Sequence, residues 1–133
     1  MEQVFQQDDE GCWIACVSML TGVSYKEIKG RFQFQDDVTG RSAGPIVQLL
    51  NELGYECESK STTLKKAKAL RKLRANALVY MKNIGPDGCE RGGHWTVWDK
   101  DEGVLRDPDG FGSTRRRVLK SFRLVTKRSG QSK

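Results

Sequence analysis

Three residues in this chain combine a chemically capable side chain with a local setting that would activate it. Cys12 precedes a run in which Trp13, Cys16, Val17 and Leu20 recur at the i, i+3, i+4, i+7 spacing of an apolar helical face, so a helix is predicted to open near Cys12 and stop at Gly22. A helix N-terminus presents unpaired N–H groups and partial positive charge, which favour a nucleophilic thiolate. An isolated cysteine also reads as a small buried hydrophobe. His94 is the single histidine, preceded by Gly92-Gly93 and opening the alternation Trp95-Thr96-Val97-Trp98 of a half-buried strand. Strand starts are rigid, and an imidazole with an unperturbed pKa of about 6.5 is suited to general base work there. Asp107 follows at the end of the next candidate strand, before Pro108. Antiparallel neighbours can present side chains on one face, so this carboxylate could hold one imidazole nitrogen and leave the other facing sulfur. Asp109 is the alternative for that role, and an Asp-Pro turn is the reading without chemistry.

Helices come first along the chain and strands later. Ser24 and Glu27 form a capping-box pattern for a short helix ending near Gly30, and residues 31–41 read as loop. A third helix is expected after Ser42, with Pro45 in its first turn, Ile46, Leu49, Leu50 and Leu53 inward, and a stop at Gly54. Tyr55 to Glu58 reads as a short strand, and Thr62 or Thr63 as the cap of a basic helix that buries Leu64, Ala67, Leu70 and Leu73. Ala77 to Ile84, His94 to Trp98, Val104 to Arg106 and Arg117 to Thr126 read as strands; Gly85-Pro86-Asp87-Gly88 and the tight Asp99 to Gly103 connection supply turns. The order implies an α+β fold in one domain over residues 1–126, with 127–133 a basic, flexible tail.

The 133 residues suit a single core, and 37% hydrophobic with 30% charged residues argues against wholesale disorder. No apolar run approaches the roughly 20 residues of a membrane span, and Asp8, Asp9 and Glu10 precede the first hydrophobic segment, where a signal peptide would be apolar. The expectation is therefore a cytoplasmic protein, or one delivered into a host or target cell without a cleavable signal, with its four cysteines free. The net charge of +6 is concentrated in two clusters, Lys60, Lys65, Lys66, Lys68, Arg71, Lys72 and Arg74, then Arg115, Arg116, Arg117, Lys120, Arg123, Lys127, Arg128 and Lys133. These read as solvated faces or as a surface for an acidic protein partner. A nucleic-acid interface would need interleaved aromatic platforms, and Phe122 alone meets that description. Cys12, Cys16, Cys89 and His94 could supply a tetrahedral zinc set, but without the C-x2-C spacing of common zinc modules. Cys57 and Cys89 otherwise read as structural or incidental thiols. The thiol mechanism calls for no cofactor or metal.

Gln6 ahead of Cys12, Gly11-Cys12-Trp13 at a helix start, Gly93-His94-Trp95-Thr96-Val97 and Asp107-Pro108 together resemble the papain-like cysteine peptidases. The likeness is closer to their compact bacteriocin-leader peptidase branch, in which glutamine precedes the cysteine helix, histidine opens a strand and aspartate precedes proline. Gly40-Arg41-Ser42 through Leu53-Gly54-Tyr55 resembles that branch's second helical segment, so the likeness spans residues 6–108. Trp13 departs from the branch, where a small residue follows the cysteine, and is shared with papain. The resemblance implies a papain-like α+β fold with the cysteine-bearing N-terminal helix packed on a C-terminal antiparallel sheet. It implies Cys12 as nucleophile, His94 as general base and then acid, and Asp107 as orienter. Gln6, or Gln7 in a shifted register, would be the oxyanion donor beside the backbone N–H of Cys12. The implied activity is hydrolysis of a peptide bond in a protein or peptide; deamidation and acyl transfer use the same Cys-His pair with another acceptor.

Overall fold

A computed structural model describes residues 1–7, 11–31, 43–109 and 116–128. Helix α1 is Cys12–Thr21, and it ends as expected: Gly22 takes a φ of +80°, which lets its N–H return to the Ser18 carbonyl at 2.8 Å. Helix α2 is Tyr25–Arg31, and the Glu27 N–H donates to Ser24 Oγ at 3.1 Å, the main-chain half of the expected capping box. Helix α3 is Ala43–Glu52, with Ile46, Leu49 and Leu50 buried. Leu53 lies beyond its end and is half-buried, and the expected loop from residue 32 onward and the Ser42 start lie outside the described residues.

Strands β1 (Tyr55–Cys57), β2 (Thr62–Thr63), β3 (Asn76–Ile84), β4 (Glu90–Asp99), β5 (Val104–Arg106) and β6 (Arg116–Lys127) form one sheet in the order β1-β6-β3-β4-β5, with β2 also on β6. Every pairing is antiparallel. An α+β fold with an N-terminal cysteine-bearing helix and a C-terminal antiparallel sheet is thus the observed architecture.

Four local expectations need correction. Thr62 and Thr63 cap no helix: they pair with Phe122 and Ser121, and the Leu64 N–H donates to the Lys120 carbonyl at 2.9 Å, so β6 satisfies this backbone and leaves it extended. The basic helix shrinks to a six-residue 3₁₀ turn, Ala67–Lys72, in which Leu70 is buried and Ala67 exposed. Residues 127 and 128 are not tail, because Lys127 pairs with Tyr55 and the Arg128 N–H donates to the Gly54 carbonyl at 3.0 Å; residues 129–133 lie outside the described set. Finally, β4 is not half-buried: His94 through Asp99 are all buried, because the sheet is covered on both faces.

The covering explains the residues. On one side Trp13, Cys16, Val17, Ile46 and Leu50 of α1 and α3 meet Leu78, Trp95 and Val97; on the other Leu64 and Leu70 meet Val79, Trp98 and Leu124. Trp95 and Trp98 therefore serve two separate cores. Helix α1, packed against the sheet, α2 and α3, buries every residue from Trp13 to Leu20, not one stripe alone. Truncating Leu78, which is fully buried in the core between the sheet and the helices, to alanine is expected to cost about 2–5 kcal/mol in chemical denaturation, against less than about 0.5 kcal/mol for the exposed Lys68→Ala.

Candidate active site

The start of α1 is built without a side-chain cap. Gly11 is buried, carries no capping group, and gives its carbonyl to the Ala15 N–H at 3.0 Å, so the N–H of Cys12 is left outside the helical ladder. Cys12 is half-buried, whereas Cys16, one turn further, is completely buried. Burial, followed by the proximity of Cys12 and then Asp107, pushes the Cys16 thiol well above its usual range. Burial likewise raises Cys57 to about 11 despite the nearby Arg123.

His94 stands where β4 enters the core and is 5% exposed. The space that a Cβ at Gly93 would fill is taken by the Tyr80 ring, which packs tilted against Trp95 with centroids 4.7 Å apart, so glycine directly before the histidine is required by close packing. Pairing of β4 with β5 sets Val97 opposite Arg106 and brings the following residue, Asp107, beside the ring. His94 Nε2 lies 2.7 Å from Asp107 Oδ1. An ionised carboxylate can only accept, so Nε2 carries a proton, and Nδ1 is the nitrogen left free of Asp107 for the nearby Cys12. Burial alone would lower the proton affinity of His94; the hydrogen bonds with Asp107 and then Cys12, and their charges, outweigh it and lift the ring to about 9. Burial would raise Asp107, but hydrogen bonds from His94 and the Asp109 N–H, with the charges of His94 and Arg117, hold it below the usual carboxylate range.

The N-terminal segment is tied to the same backbone. Gln3 Nε2 donates to the Asp107 carbonyl at 2.9 Å, and the Gln6 N–H to the Pro108 carbonyl at 3.0 Å. Gln6 is half-buried with its Oε1 enclosed, while the Gln7 side chain is exposed and its N–H is engaged by Tyr25 Oη at 3.1 Å. Of the two glutamines, Gln6 is therefore the one held against the site.

The structure thus brings together Cys12, His94 and Asp107, with Gln6 anchored alongside. Asp109 sits beside them but is committed elsewhere: its N–H donates to Asp107 Oδ1 at 2.8 Å and its carboxylate pairs with Arg117. Arg117 was not legible as a site residue. It reads in sequence as one of a basic run, yet its side chain is 6% exposed and bonds Asp107 Oδ2 at 2.9 Å and Asn83 Oδ1 at 2.8 Å. The signal available was its strand position opposite Asn83, which needs the β3–β6 register to be known. The second basic cluster is accordingly not one solvated face: Lys120 bridges to Glu90 at 2.5 Å and Arg123 is half-buried. The seven cations from Lys60 to Arg74 are all exposed.

The cysteine-rich zinc set is not assembled. Cys89 is exposed at the β3–β4 turn, and among the described residues the acidic and histidine side chains close enough to share an ion are His94, Asp107 and Asp109, where the guanidinium of Arg117 already bonds both carboxylates. Among the described residues no helix is long and apolar enough to cross a membrane. No protein-family model, curated protein or solved structure matches the chain.

Two measurements follow from this electrostatics. At pH 7.5 iodoacetamide is expected to label Cys12 and Cys89 in the folded protein and to spare Cys16 and Cys57 until unfolding; His94→Ala should slow Cys12 at least about 10-fold while leaving Cys89 unchanged, as peptide-mapped mass spectrometry can read. Because His94 is raised when folded, its charged pairing stabilises fully below about pH 6.5 and is lost as pH rises through about 9. The stability gap between wild type and His94→Ala, read by urea denaturation, should therefore shrink between those values, by an amount on the order of 3 kcal/mol. A gap that widens with pH would contradict the assignment.

Proposed function

We propose that this protein is a papain-like cysteine peptidase that hydrolyses a peptide bond in a protein or peptide substrate. The observation that carries the reading is the convergence of Cys12, His94 and Asp107 from a helix start, a strand and the segment after a hairpin, with His94 Nε2 2.7 Å from Asp107 Oδ1 and Cys12 near enough to raise the ring's proton affinity. Its support is chemical: sulfur at an uncapped helix N-terminus, an imidazole with one nitrogen fixed on a carboxylate, and the other turned to the sulfur.

In this mechanism His94 holds the proton of Cys12, and the thiolate attacks the substrate carbonyl carbon. Negative charge gathers on the carbonyl oxygen, where the backbone N–H of Cys12 and the side-chain amide of Gln6 are the neutral donors. His94 then protonates the leaving amine as the tetrahedral intermediate collapses to a thioester. Water, deprotonated by His94, hydrolyses the thioester and regenerates the thiol. Asp107 keeps the ring in its tautomer and stabilises imidazolium throughout. The exposed cations from Lys60 to Arg74 supply a surface suited to an acidic protein partner.

Proteomes incubated with wild type and with Cys12→Ala distinguish the chemistry by mass spectrometry: new termini with wild type alone are expected, whereas one-dalton gains without cleavage would move the reading to deamidation. On a cleaved peptide, Cys12→Ala and His94→Ala should each lose at least about 10³-fold in kcat with unchanged circular dichroism, and Gln6→Ala about 10²–10³-fold. Gln7→Ala should be close to wild type. Asp107→Asn should retain more activity than either loss, and since the carboxylate raises His94, the basic limb of its pH-rate profile should move below the wild-type position near pH 9. A basic limb that stays fixed would remove Asp107 from the triad.

A further inference from the structure

Arg117 makes three directed contacts with three different side chains. Nε donates to Asn83 Oδ1 at 2.8 Å, Nη1 to Asp107 Oδ2 at 2.9 Å, and Nη2 to Asp109 Oδ2. The Asp107 carboxylate is then held from both ends, because Oδ2 takes Arg117 while Oδ1 takes His94 Nε2 at 2.7 Å and the Asp109 N–H at 2.8 Å. A carboxylate rotates broadly about its last torsion. Here the guanidinium and the imidazole pull its two oxygens in different directions, and rotation would break both bonds.

We propose that Arg117 is a positioning residue of this site: its planar fork, braced by Asn83 of β3, holds the Asp107 carboxylate with Oδ1 aimed at His94 Nε2. The orientation of the imidazole toward Cys12 is thereby set from β6 and β3, two strands that carry none of the proposed reacting groups. The role deepens the peptidase reading and rests on it. The fork geometry is also why lysine would not replace it: an ammonium keeps the charge but cannot span three acceptors in one plane.

A purely electrostatic Arg117 predicts the opposite sign from a positioning one. The charged groups facing His94 are Cys12 from α1, Asp107 and Asp109 after β5, and, behind the carboxylates, Arg117 from β6. Removing only a positive charge would leave two uncompensated carboxylates and raise the proton affinity of the ring. Releasing Asp107 from its aim lets the carboxylate leave Nε2 and lowers it.

His94 is the single histidine of the chain, so ¹H–¹⁵N imidazole spectra of the full-length protein follow its titration without substrate. In Arg117→Gln the midpoint is expected to fall by about one unit or more, and in Arg117→Lys likewise, with Cys12 alkylation slowed in parallel and Cys89 unaffected. Asn83→Ala, which removes the brace and no charge, should lower the midpoint less. An unchanged or raised midpoint in Arg117→Gln, or wild-type behaviour in Arg117→Lys, overturns the proposal. Should both arginine variants fail to fold, Asn83→Ala decides, and a wild-type midpoint there overturns it equally. Failure to find cleavage by the wild type bears on the peptidase reading alone, whereas the His94 midpoint bears on the clamp alone.

Discussion

A histidine that is 5% exposed has given up most of the water that would stabilise its charge, and burial by itself would leave it neutral. The carboxylate 2.7 Å from Nε2 is the largest influence that reverses that outcome, and with Cys12 it lifts the ring to about 9, so His94 carries its proton at neutral pH. The same contact decides direction as well as charge. With Nε2 committed to Asp107, Nδ1 is the nitrogen left to face Cys12, and a ring free to flip would present either nitrogen to the sulfur. Both the protonation state and the aim of the imidazole therefore depend first on one hydrogen bond.

That bond in turn depends on register. Asp107 reaches the ring because Val97 pairs with Arg106, and a slip of one residue would turn the carboxylate to the opposite face of the sheet. The hairpin is pinned by its own buried acid: Asp99 bonds Arg106 at 2.9 Å and accepts the Glu102 N–H, and its carbonyl takes the Gly103 N–H at 2.8 Å, Gly103 adopting a φ of +65°. The backbone that presents Asp107 also receives Gln3 and Gln6 through its carbonyls at 107 and 108. One short stretch thus fixes the acid of the proposed triad and the segment that carries the oxyanion-donor candidate.

The parts of this arrangement that were legible in sequence are those encoded locally. A helix start with glycine before it, a glycine pair before a histidine, and an aspartate before proline each follow from propensities a few residues wide, and Cys12, His94 and Asp107 do converge. The β4–β5 hairpin was readable for the same reason. What escaped was nonlocal. Thr62 and Thr63 look like a helix cap because nothing nearby announces β6, which meets them from far along the chain. The half-buried alternation of β4 misled because Thr96 is polar, yet its hydroxyl is satisfied inside by the Val79 carbonyl at 3.3 Å, so a threonine on a covered face mimicked a wet one. Arg117 was hidden most completely, since a run of arginines gives no sign of which member turns inward; the β3–β6 register decides that.

Charge balance explains why one arginine must turn inward at all. Two carboxylates, Asp107 and Asp109, lie within reach of each other and of the ring. Without compensation the neighbouring carboxylate would favour protonation of Asp107, and a protonated Asp107 would lose its hold on imidazolium. Arg117 supplies a positive charge, and with imidazolium it brings the four groups to neutrality before the sulfur is counted. The same occupancy disfavours a divalent ion at this His-Asp-Asp grouping, because the ion would have to displace a guanidinium bonded to both carboxylates. A histidine with two aspartates, suggestive of metal in isolation, is in this setting better matched to holding one imidazole charged, fixed and turned toward a thiol.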